Sequence, residues 1–102
     1  MSKTEDERNS AGKVLDMLDA LAGCAVNGAS NGALAKGLEL SPSTVTVLMR
    51  SLIGKGWARK DEATGHFHPT PKMGRVFGRV LADISKAEQQ IADLKHNFTR
   101  NT

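Results

Sequence analysis

Apolar residues recur along this chain with helical spacing in four separate stretches, and a fifth stretch alternates instead. In the first, Val14, Leu15, Met17, Leu18, Leu21 and Ala22 form a stripe that predicts a helix capped by Ser10 and ending near Gly23. GCAVNGAS at 23–30 breaks it and has room for one very short strand. Ser30 or Asn31 then caps a second, short helix over about 32–37, with Leu34, Ala35 and Leu38 pointing inward. Ser41 followed by Pro42 is a strong helix start, because proline at the first position gives up an N–H that has no partner there. Val45, Leu48, Met49, Leu52 and Ile53 continue that third helix to about Lys55 on an i, i+3, i+4, i+7, i+8 pattern. Gly54 and Gly56 end it.

Residues 57–70 change period. WARKD, a glycine-containing turn at EATG and then HFHPT predict a hairpin, with Trp57 and Phe67 packed on the helices. Arg59, Lys60, Thr64 and His66 face out, and Pro69 closes an edge strand. A helix, tight turn, helix and two-stranded hairpin make a winged helix.

The last stretch is the longest. Met73, Phe77, Val80, Ile84, Ala87, Ile91, Leu94 and Phe98 are spaced 4, 3, 4, 3, 4, 3, 4, an uninterrupted heptad seam on one helix. Val76 and Leu81 widen its first half, which is expected to pack on the winged body. The second half runs beyond anything that body can cover. Phe77, Val80, Ile84, Ala87, Ile91, Leu94 and Phe98 are therefore read as a dimerisation seam joining two copies of the chain. The whole pattern predicts a mainly α protein with a small β-hairpin wing. A winged helix-turn-helix occupies 10–70, a long C-terminal helix occupies 71–98, and disordered tails lie at 1–9 and 99–102.

Charge sharpens this picture. The 102 residues carry a net +3, but it is unevenly placed. Residues 41–79 hold Arg50, Lys55, Arg59, Lys60, Lys72, Arg75 and Arg79 against only Asp61 and Glu62, a local +5; residues 1–40 come to −2 and residues 80–102 to zero. Positive charge thus surrounds the third helix and the hairpin, where a nucleic-acid surface would need it. The outward face of the third helix is Ser43, Thr44, Thr46, Val47, Arg50 and Ser51, short and polar enough for close approach to a DNA groove.

Each of these residues has an expected task. Ser41 caps, while Ser43 and Thr44 offer hydroxyls and N–H groups to phosphate at a helix N-terminus. Thr46 and Val47 reach thymine methyls, and Arg50 reaches guanine or phosphate. Arg59, Lys60 and Thr64 touch the backbone or minor groove from the wing, and Lys72, Arg75 and Arg79 flank it.

Other chemistry is poorly supported. The chain has a single cysteine, Cys24, and no tyrosine. His66 and His68 share a strand face but have no further metal ligands at a suitable spacing. No carboxylate pair, nucleophile–base arrangement or glycine-rich phosphate loop is present, so neither an enzyme nor a cofactor is expected. The absence of a membrane-length apolar run and of a signal-like N-terminus favours a cytoplasmic address.

At this point residues 10–79 resemble the winged-helix domain of IclR-type transcription regulators, and more distantly the MarR type. VLDMLDAL, LAKGLELSPSTVTVLMRSL, KGWARKD and the short wing carry the resemblance. It implies a homodimeric, sequence-specific regulator of transcription on double-stranded DNA. Two features depart from the pattern. Relatives carry an effector-binding domain after the winged helix, whereas this sequence ends at Thr102, so no small-molecule effector is implied. The turn position that is usually glycine is Glu39, and Val47 replaces a polar or basic residue, so no base preference is carried over. A non-specific architectural DNA-binding protein and a winged-helix protein adaptor remain as alternatives.

Overall fold

The computed structural model describes residues 9–100. Its elements run α1 (Ser10–Ala22), α2 (Asn31–Leu38), α3 (Pro42–Gly54), β1 (Ala58–Lys60), β2 (Phe67–Pro69) and α4 (Pro71–Thr99). Of the tails expected at 1–9 and 99–102, residues 1–8 and 101–102 lie outside the described residues; Asn9 is the extended cap residue before α1, and Thr99 is the last residue of α4.

Local chemistry accounts for most of the boundaries. The cap of α1 is Asn9 rather than Ser10: its side-chain oxygen accepts from the Gly12 N–H at 2.6 Å. Ser30 and Ser41 cap α2 and α3 in the same way, each at 3.1 Å. Between those two helices, Glu39 adopts the left-handed conformation, φ 57° and ψ 47°. The Leu40 N–H then turns back to the Ala35 carbonyl at 2.9 Å, which closes α2 and aims buried Leu40 at the core.

Met17, Leu21, Val45 and Met49 are the most deeply buried large side chains. Leu34, Ala35, Leu40, Leu48, Leu52, Ala58, Phe67 and Met73 complete one core beneath α1, α2, α3 and the hairpin. Some predicted inward residues fall outside it. On α1 the stripe is narrower than expected, since Leu15 and Ala22 are exposed while Val14 and Leu18 form its margins. Ile53 on α3 is 40% exposed. It sits about 80° around the helix from Val45, at the rim of the stripe, and faces the wing.

The hairpin is antiparallel, pairing Ala58 with Pro69, Arg59 with His68 and Lys60 with Phe67. Gly65, at φ +74°, supplies the left-handed residue of its turn. The very short strand expected at 23–30 is the single residue Ala29, which exchanges two backbone bonds with Phe67 at 2.8 and 2.9 Å. His66 and His68 do share a face, and both are spent on the preceding loop. Their Nδ1 atoms lie 3.1 Å from the Asn27 carbonyl and 3.4 Å from the Ala25 carbonyl. Gly28 is required here: its φ is +70°, and a Cβ would stand 2.5 Å from the His68 ring. Cys24, half-buried, donates its thiol to the Ala20 carbonyl at 3.3 Å.

α4 differs most from expectation. Its first turn is anchored by buried Met73 and by Lys72, whose Nζ lies 4.9 Å over the Trp57 ring and donates to the Lys55 carbonyl at 2.8 Å. From Phe77 onward the seam is exposed, so the first half does not pack on the body as Val76 and Leu81 had implied. The reason is direction: α4 leaves the body after one turn and gives the molecule its 67 Å length.

Candidate nucleic-acid interface

The outward side of α3 is built from its cap. Ser41 Oγ accepts the Thr44 N–H and lies 2.8 Å from the Thr44 hydroxyl and 3.2 Å from that of Ser43. Thr44 is therefore half-buried and turned toward the cap, not free on the surface as its position implied. Thr46 is exposed, but its hydroxyl donates to the Pro42 carbonyl at 3.1 Å and receives an N–H from Asn31 at 3.1 Å. Ser43, Val47, Arg50 and Ser51 are exposed on the same face as Thr46, with Val47 56% exposed.

Beside this face runs a groove of about 240 Å³ between α3 and the wing, lined by Thr46, Met49, Arg50, Ile53, Lys60 and Phe67. Its floor is apolar, and Arg50 and Lys60 place two cations at its edges. Lys60 lies 6.0 Å above the Phe67 ring, so the ring face helps to hold its ammonium group. Such a groove suits a phosphate backbone crossing from recognition helix to wing.

Arg59 does not join it. Successive residues of a strand point to opposite faces, and Arg59 lines a different depression with Ala22, Ala25, Met73 and Phe77 at the foot of α4. Arg59 and Lys60, adjacent in sequence, therefore line different depressions. Thr64 is exposed at the wing tip, where its hydroxyl accepts the His66 N–H at 3.1 Å. Lys72, Arg75 and Arg79 line a third depression with Val76, and Lys72 is already engaged with Trp57.

Sequence reasoning missed Asn31 as anything other than a cap. Its side chain instead bridges α2 to the start of α3, donating to the Pro42 carbonyl and the Thr46 hydroxyl. An asparagine just inside a serine-capped helix is the one signal that could have flagged it.

Comparison with known proteins bears on this geometry. The model of the IclR helix-turn-helix domain matches residues 10–62. The chain belongs to the IclR helix-turn-helix domain family. The matched part of this IclR-type domain runs from α1 into the hairpin turn and includes the whole α3 face. Among solved structures, HmgR of Pseudomonas aeruginosa is similar, at 30% identity and a TM-score of 0.63 over 72% of this chain. The chain spans 30% of the length of HmgR. No curated protein matches it. No described helix of this IclR-type chain is long and apolar enough to cross a membrane.

Proposed function

We propose that this chain binds double-stranded DNA with sequence preference, as a homodimeric regulator of transcription. The recognition helix α3 enters the major groove through Ser43, Thr46, Val47 and Arg50. The hydroxyl-capped N-terminus at Ser41 and Thr44 meets a phosphate. Lys60 and Thr64 of the wing meet the neighbouring backbone or the minor groove, with Arg75 and Arg79 beyond it.

The observation that carries this reading is the α3–wing groove. An exposed, short-chained helix face adjoins two cations on an apolar floor, in a domain whose family is defined by its helix-turn-helix. The second element is α4, whose exposed seam from Phe77 to Phe98 is covered by the same seam of a second copy. A two-fold pair of α3 helices would read half-sites about one helical turn, 34–36 Å, or a multiple of it apart.

Selection from a randomised duplex library by the purified chain, at about 150 mM salt, tests the reading. Enrichment of an inverted repeat is expected. Retention without enrichment, lost steeply as salt rises, replaces it with an architectural role. No retention replaces it with a protein-interaction role centred on α4.

A further inference from the structure

Asn31 opens α2, and its amide reaches across the turn to α3. The nitrogen donates to the Pro42 carbonyl and to the Thr46 hydroxyl, both at 3.1 Å, while Thr46 donates to the same carbonyl. The reverse amide orientation would set oxygen against the Pro42 carbonyl oxygen, so the chemistry allows only this one.

The amide oxygen is buried and accepts from no described residue. An acceptor buried without a donor loses roughly what the two donated bonds return. Stability therefore gives little reason for asparagine at this position, and its effect on Thr46 gives a better one. A threonine inside a helix divides between two rotamers, because its hydroxyl can bond back to the preceding turn, whereas valine holds one. Here the Thr46 hydroxyl takes the rotamer that donates to the Pro42 carbonyl, and it also accepts from Asn31, a donor outside the helix. Thr46 is exposed and lines the α3–wing groove, so the chosen rotamer decides what a base edge meets.

We propose that Asn31 is a positioning residue for base recognition. It holds the Thr46 hydroxyl inward, so that Thr46 reads its base pair through its methyl group, the chemistry that meets the thymine methyl. This role rests on the DNA-binding reading above.

The test is randomised-duplex selection with the full chain as wild type, Asn31→Ala, Thr46→Val and Thr46→Ala, with a thermal melt of each. Thr46→Val is expected to return the wild-type motif, since valine keeps the methyl in one rotamer. Thr46→Ala and Asn31→Ala are expected to lose discrimination at the same base pair of each half-site, by about fivefold or more. The double variant should lose no more than either alone. Asn31→Ala should melt within about 3 °C of wild type.

A wild-type motif from Asn31→Ala overturns the proposal. So does an affinity loss shared by all sequences together with a fall in melting temperature, which would make Asn31 merely structural. Loss of the position in Thr46→Val overturns it as well, because the hydroxyl would then be the reader. Absence of any motif from the wild type removes the DNA reading itself, and is distinguishable because it precedes every substitution.

Discussion

α3 and the distal part of α4 carry the same kind of apolar periodicity and meet opposite fates. Val45, Leu48, Met49 and Leu52 are exposed by at most 8%, because α1, α2 and the hairpin close over them. Ile84, Ile91 and Leu94 are exposed by 52–67%, because α4 has left the body by then. An apolar stripe therefore reports that a face will be covered, and nothing more. Whether its partner lies in the same chain depends on where the helix axis points. In α4 that direction is set by its first turn, where Met73 is buried and Lys72 is pinned against Trp57 and the Lys55 carbonyl.

The sharpest way to break the contrast is to charge the exposed seam. Ile84→Lys with Ile91→Lys should raise the dissociation constant of the proposed dimer by more than about a thousandfold, since four isoleucines each lose roughly 1.5–3 kcal/mol of burial. Sedimentation should then show a monomer whose body melts as before; a wild type that already sediments as a monomer would mean that the seam belongs to another partner or folds back. The opposite manipulation, Leu21→Ala in the closed core, should cost about 2–5 kcal/mol in urea unfolding. That cost should not depend on protein concentration in the monomeric background.

Gly28→Ala probes the tie between the α1–α2 loop and β2. A left-handed alanine pressed against the His68 ring should cost about 1–3 kcal/mol in thermal unfolding. The two wing cations provide a finer comparison. Lys60→Ala should reduce the salt slope of DNA binding by about one, while Arg59→Ala, on the other face of β1, should leave it unchanged. Equal effects would mean that the wing lies differently on DNA. The smallest effect is a gain: Glu39→Gly should raise stability by about 0.5–1 kcal/mol, because glycine occupies the left-handed region without the steric cost borne by glutamate.

Much of this was legible in advance, and the misses have a common cause. Ser30, Ser41 and Pro42 act within one helical turn, so capping chemistry alone located the start of α3 and narrowed the cap of α2 to Ser30 or Asn31. The same rule pointed to Ser10 and was off by one residue, because Asn9 reaches the Gly12 N–H from the position before it. At the candidate site, the positions on the α3 face followed from helical geometry, but the availability of their hydroxyls did not. Thr44 is drawn to Ser41 nearby, whereas Thr46 is held by Asn31, fifteen residues earlier. The separation of Arg59 from Lys60 is hidden for a related reason: charge density along the chain ignores the alternation of a strand.

By itself, then, the sequence determined the properties that arise within a few residues: helix periods, the serine- or proline-marked starts of α2 and α3, the hairpin, the basic middle of the chain and the heptad seam. Those depend on backbone geometry and on neighbours that covalent connection keeps close. The tertiary structure decided which faces find cover, which hydroxyls remain free and which cations share a groove. These depend on contacts such as Asn31 with Thr46, Ala29 with Phe67 and His68 with the loop before α2. Folding brings such pairs together from distant parts of the chain, so no local pattern can announce them.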